Sequence, residues 1–128
     1  MNKKVGIIVN DLLCLSANEA YKIADEIIFI DIREDYLTKF KKINMPNVFY
    51  LPFSKIEEWK NNLPKDKLLV IFDSVGNYSR YVADILKKEG YENLAILAGG
   101  FIEWEKCNLP VIINKNISIS CPCLFARK

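Results

Sequence analysis

The stretch IFDSVGNYS, residues 71–79, has the layout of a chemical site. An apolar run ends in an acid, a glycine-containing turn follows, and a helical pattern starts directly after. Loops of this build commonly hold an anion or a nucleophile, because converging N–H groups and a helix N-terminus favour negative charge. Asp73, at the tip, is a poor choice for either role. A second acid, Asp31, ends the apolar part of IFIDIREDY (28–36), with Arg33 two residues on. Near the C-terminus stands Cys121-Pro-Cys123, a thiol pair that could carry sulfur, switch redox state or supply half of a metal site. The chain has no histidine, which removes the commonest general base and metal ligand. Two thiolates alone are an incomplete set, and a metal would need Cys14, Cys107 or a second chain. No metal and no cofactor are expected.

Positioning such groups requires strands that end where helices begin, and the hydrophobic pattern supplies them. Residues 5–9 predict a buried strand by their β-branched content. Ser16 and Glu19 form a capping box that opens a short helix carrying Ala20, Ile23 and Ala24. A second strand over 27–30 ends at Asp31. A helix follows over 35–41, then a strand over 48–51 and a Ser54-capped helix through Trp59, closed by Pro64. Leu68–Phe72 is the most apolar run and so the central strand of a parallel sheet. Residues 78–89 place Val82, Ile85 and Leu86 at helical spacing and stop at Gly90. A last strand over 95–97 and a short helix behind Gly99-Gly100, carrying Trp104, complete the alternation. Such alternation implies an α/β fold, with a mainly parallel central sheet, helices on both faces and sites at the carboxyl ends of strands. Past Pro110 the texture changes to alternating isoleucines without a helix signal, so residues 113–128 read as an edge strand and tail appended to a domain over 1–112.

A chain of 128 residues, 51% hydrophobic and 27% charged, suits one globular domain. Eighteen basic and sixteen acidic residues, of both signs along the chain, give a net charge of +2 and no support for nucleic-acid binding. The N-terminal apolar run is broken by Asn10-Asp11, too early for a secretory or lipoprotein signal, and no segment has the length of a membrane span. A cytoplasmic protein with four reduced cysteines is expected.

Four pieces together resemble the rhodanese-like domain, the sulfurtransferase module, over about residues 16–111. IFIDIREDY (28–36) is similar to the family's strand ending in Asp-x-Arg. NMPNVFYLPFS (44–54) looks like its His-Ile-Pro-Gly-Ala segment, with Asn44 and Asn47 in place of the histidine and glycine. GYENLAILAGGFIEW (90–104) closely resembles the family's Gly-Gly-x-x-x-Trp ending. The loop over 73–79 resembles the active loop Cys-x-x-Gly-x-[Arg/Thr]-Ser. The resemblance implies that backbone N–H groups of this loop cradle a thiolate and then a persulfide. It also puts Asp73 in the cysteine's position and Tyr78 in that of the arginine or threonine, with the spacing and Gly76 kept.

The cradle, Asp73, Ser74, Val75, Gly76, Asn77, Tyr78 and Ser79, is thus expected to persist without its nucleophile. A carboxylate cannot hold sulfane sulfur. The preferred role for Asp73 is a plug that satisfies the loop and caps the following helix. The alternatives are a residue that meets a bound ligand and, remotely, a phosphoryl acceptor. Asp31 is expected to organise loop N–H groups rather than act as a general acid. Arg33 either braces the site, as the resemblance implies, or makes a surface or inter-loop ion pair, the preferred reading. Trp104 and Tyr91 are core residues, Cys14 and Cys107 small buried groups, and Arg80 a solvated residue with some chance of facing the cradle. The expected function is a catalytically impaired binding or regulatory module related to sulfur metabolism, with an unknown protein partner or sulfur carrier. The alternative is a sulfurtransferase or sulfur/redox carrier that uses Cys121 and Cys123.

Overall fold

The computed structural model describes residues 6–114. Its first element is a hairpin, β1 (Ile7–Val9) and β2 (Leu12–Leu15), paired antiparallel through Val9 and Leu12. Asn10 and Asp11 both adopt positive φ, the two-residue turn whose twist matches a hairpin. The expected buried strand over 5–9 is therefore corrected. β1 is an exposed edge strand, and the strand that enters the core is β2, whose Leu12 and Leu15 are buried.

Helix α1 (Ala17–Lys22) starts at the predicted capping box: Ser16 Oγ accepts the Glu19 N–H at 3.1 Å, and Glu19 accepts the Ser16 N–H at 2.8 Å. Strand β3 (Ile27–Asp31) follows, then α2 (Asp35–Thr38) and β4 (Lys41–Ile43). The helix expected over 35–41 stops early because residues 41–43 pair with β8 (Val111–Ile113), about seventy positions downstream. The boundary expected after residue 112 falls inside that strand. β5 (Val48–Tyr50) leads to a 3-10 turn, Phe53–Lys55, and α3 (Ile56–Trp59). Ser54 does not cap this helix; its N–H and hydroxyl both bond the Glu34 carboxylate, at 3.0 and 2.7 Å. β6 (Leu68–Phe72), α4 (Ser79–Lys88), β7 (Leu94–Leu97) and α5 (Gly100–Lys106) then alternate as predicted.

The main sheet runs β1-β2-β7-β6-β3-β5, with β6 and β7 in the middle and every pair parallel except the hairpin. Because side chains alternate along a strand, β3 sends Ile28 and Ile30 to one face and Ile27 and Phe29 to the other. The first face is covered from α3 and α4 by Ile56, Trp59, Val82, Ala83 and Leu86. The second is covered from α1 and α5 by Ala17, Ala20, Phe101 and Trp104. Trp104 is fully buried and donates its indole N–H to the Pro110 carbonyl at 2.8 Å, and the Tyr91 hydroxyl receives the Leu63 N–H at 3.0 Å. Both are core residues, as expected. Among the described residues no helix is long and apolar enough to cross a membrane.

Candidate functional site

Adjacent parallel strands β3 and β6 end side by side, with Asp31 registered against Phe72 and Asp73 the next residue of the chain. Their carboxyl ends therefore bring two acids to one edge of the sheet, both buried: Asp31 is 0% exposed and Asp73 6%. They are satisfied in different ways.

Asp73 is held by its own loop. Its Oδ1 accepts a short hydrogen bond from the Gly76 N–H, and its Oδ2 accepts the Tyr78 N–H at 2.6 Å. Gly76 makes the fold-back possible, since its φ of +98° is one that residues with a Cβ rarely adopt. Helix α4 begins at the next residue, so Asp73 holds the turn that leads into it; no side chain caps its first turn, and the expected helix cap is corrected to a bond with the Tyr78 N–H just before it. The backbone of the loop is clamped from below by α5. The N–H groups of Phe101 and Ile102 donate to the Asp73 and Ser74 carbonyls at 2.9 and 3.0 Å. Gly100 lies so close that a Cβ there would meet the Asp73 carbonyl at 2.6 Å, which explains this glycine, while a Cβ on Gly99 would meet the Glu103 side chain. This support had a sequence signal in the double glycine, but its target, the loop, had none.

Asp31 is held by a cation. The Arg33 guanidinium donates from Nη2 to Oδ2 at 2.9 Å and from Nε to Oδ1 at 3.0 Å, and the Arg33 N–H adds a bond to Oδ1 at 3.1 Å. Burial pushes the Asp31 carboxyl above the ordinary carboxylate range, against the downward pull of Arg33 and with a smaller upward push from the Asp73 charge. Arg33 also donates to the Lys41 carbonyl at 2.8 Å and stacks 4.2 Å from the centre of the Phe101 ring. The expected ion pair is present, with Asp31, but it is buried rather than on the surface: Arg33 is 6% exposed and ties β3 to β4 and α5 behind the loop. Its body-sized burial is driven by Phe101, a partner far away in sequence.

Above the loop is a cavity of about 220 Å³ lined by Ile32, Glu34, Tyr36, Leu37, Phe53 and residues of the cradle, among them Asp73, Val75 and Tyr78. Tyr78 stacks on Phe53 at 5.4 Å between ring centres, with the planes 20° apart, and Tyr81 meets the same ring edge-on at 5.9 Å. Tyr36, Val75, Tyr78 and Tyr81 are all largely exposed. Phe53 and Tyr36 were not singled out from the sequence, where nothing but their aromatic character marks them. The Ser79 hydroxyl, buried at the start of α4, finds no hydrogen-bond partner among the described residues.

Other sequence candidates lie elsewhere. Arg80 points away from the cradle, donating to the Val9 carbonyl at 3.1 Å and approaching Cys14 Sγ at 3.9 Å. Cys14 and Cys107 are partly exposed rather than buried. Cys121 and Cys123 lie outside the described residues. Among those residues no group of three or more His, Cys, Asp or Glu side chains is placed to hold a metal ion.

A mainly parallel sheet with helices on both faces is matched by a known domain. Residues 16–107 fit the rhodanese-like domain, and the chain belongs to that family. The sulfurtransferase of Allochromatium vinosum is 26% identical over 104 residues, which cover 81% of this chain and 95% of that protein. The thiosulfate sulfurtransferase GlpE of Coxiella burnetii is 25% identical over 91 residues, covering 71% and 83%. Among solved structures, a rhodanese-related protein of Thermoplasma volcanium shares the fold with a TM-score of 0.70 at 24% identity, over 79% of this chain and 98% of its own. The chain is thus a rhodanese-like domain related to sulfurtransferases.

Proposed function

We propose that this domain is a catalytically impaired member of its family, in which Asp73 stands where sulfur-transferring relatives carry the loop cysteine, and that it works as a binding or regulatory module in sulfur metabolism. The observation that carries the reading is the occupancy of the cradle. Both oxygens of the Asp73 carboxylate already accept loop N–H groups, from Gly76 and Tyr78. In a thiol enzyme of this build those donors would stabilise a thiolate or persulfide. Here a buried carboxylate takes them, and a carboxylate has no sulfur valence with which to store a sulfane atom. What the loop retains is shape: an aromatic rim of Tyr36, Phe53 and Tyr78 around a shallow cavity, suited to a protein partner or sulfur carrier. A cytoplasmic setting, with reduced cysteines, is part of this reading.

The test is a thiosulfate:cyanide assay on the full chain. No thiocyanate above a protein-free control is expected. Activity that survives replacement of both Cys121 and Cys123 by serine would overturn the reading, because the loop itself would then be active. Activity lost with those replacements would assign the chemistry to the C-terminal thiols instead. Asp73→Cys restores one element only, since Tyr78 lacks the charge of the family's arginine, so at most a weak gain of sulfur transfer is expected.

A further inference from the structure

We propose that the aromatic cavity over the loop receives a basic side chain, an arginine of a protein partner, whose guanidinium lies against the exposed tyrosine rings and faces the cavity's two carboxylates. This assignment rests on the binding-module reading above and names the chemistry by which the partner is recognised.

Size and rim set the class of occupant. A cavity of about 220 Å³ is smaller than the roughly 300–1,000 Å³ of pockets that enclose a whole small molecule, and it suits one inserted side chain. Its rim is aromatic. Phe53 stacks on Tyr78 at 5.4 Å, while Tyr78 and Tyr36 stay largely exposed. An exposed ring offers a negative face to a cation, and a planar guanidinium stacks there with its N–H groups still free to donate. The same mode is already in use behind the loop, where Arg33 lies 4.2 Å from the centre of the Phe101 ring and donates to Asp31 and the Lys41 carbonyl.

Charge selects among side chains. Glu34 and Asp73 bring two carboxylates to the lining, and Arg33, also in the lining, is ion-paired with Asp31 at 2.9 Å. Both carboxylates are held in place: Asp73 by the Gly76 and Tyr78 N–H groups, Glu34 by the Ser54 N–H and hydroxyl. A carboxylate oxygen that accepts one hydrogen bond keeps a lone pair for another. An anion entering the cavity would instead meet loop donors already given to Asp73. Glu34 and Tyr36 also border an adjoining hollow, where Asp35 stands with Lys39 and Lys55, charges of both signs. The cavity over the loop, with two carboxylates and a cation already matched, is the part that complements a positive group.

Backbone NMR of the full chain, titrated separately with N-acetylarginine amide, N-acetylnorleucine amide and N-acetylglutamate amide, tests this. The arginine probe is expected to move the amide signals of Leu37, Val75, Asn77 and Tyr78, to leave those of Leu12–Leu15 in place, and to weaken as salt is raised. It should bind at least about threefold more tightly than the norleucine probe, and the glutamate probe should move none of these signals. Glu34→Gln, which keeps the side chain's shape, and Tyr36→Leu, at an exposed ring, are each expected to weaken the arginine probe about threefold. Norleucine binding as tightly as arginine would overturn the proposal in favour of an apolar site, and glutamate binding in favour of an anion site. Cavity signals that ignore the arginine probe at tens of millimolar, or an affinity unchanged in both variants, would overturn it outright. Such a failure leaves the sulfur-transfer assay standing as the test of the binding-module reading, and thiocyanate formed by the loop would remove that reading without altering the titration.

Discussion

Asp31 and Asp73 are the same residue type at the ends of neighbouring strands, yet one is neutralised by a guanidinium and the other by backbone. The difference follows from what each strand runs into. β3 turns toward β4 and α5, where Arg33 can lie flat between a carbonyl and the Phe101 ring. β6 runs into a tight turn whose Gly76 and Tyr78 N–H groups fold back onto Asp73 just ahead of a ten-residue helix. A cation brings its own desolvation cost and a long side chain to order, whereas N–H groups of a fixed turn are already oriented. Asp31 is accordingly pushed upward in spite of its partner: burial outweighs the ion pair.

The comparison breaks hardest at the cation. Arg33→Ala strands a buried carboxylate and removes the link among β3, β4 and α5, so a loss of about 3–5 kcal/mol is expected in chemical denaturation. A loss below about 1 kcal/mol would mean that Asp31 is not dependent on Arg33. Asp73→Ala leaves two N–H groups without their acceptor but removes the charge with them. The expected cost is about 1–2 kcal/mol, as for a lost helix cap, read as a lower midpoint at unchanged slope. An unchanged midpoint would show that the plug contributes nothing.

The third test uses pH. The folded state holds the Asp31 proton more tightly than the unfolded chain does, so this group's contribution falls as pH rises from the ordinary carboxylate range through the raised folded value, and returns on acidification. Asp31→Asn should flatten that part of the stability profile relative to the unaltered protein. A profile of the same shape in both would remove burial as the dominant influence. The smallest effect is expected at Ser79, whose buried hydroxyl has no partner among the described residues. Ser79→Ala should leave stability unchanged or raise it by a few tenths of a kcal/mol, because it deletes an unsatisfied group. A loss of more than about 1 kcal/mol would reveal a hydrogen bond that the loop makes in solution.

Local signals were legible wherever a few neighbouring residues decide the conformation. The capping box at Ser16 and Glu19, the stop at Gly90 and the apolar run of β6 all needed no distant partner. The hairpin has a signal too, in Asn10-Asp11 between two apolar runs, of which only residues 5–9 carry a strand expectation. The spacing from Asp73 to Tyr78 with Gly76 between them likewise announced a folded-back loop, because positive φ and a helix start are properties of the chain itself.

What tertiary structure alone decided is everything that depends on a residue far along the chain. Residues 41–43 became a strand because β8 arrives to pair with them. Arg33 is buried because Phe101 and the Lys41 carbonyl receive it, and Gly100 is tied to the loop because the Asp73 and Ser74 carbonyls pack onto α5. Phe53 gained a role only by stacking on Tyr78. Period and turn chemistry are written in adjacent residues, whereas the satisfaction of a buried charge is set by which distant donors the packing brings within 3 Å of it.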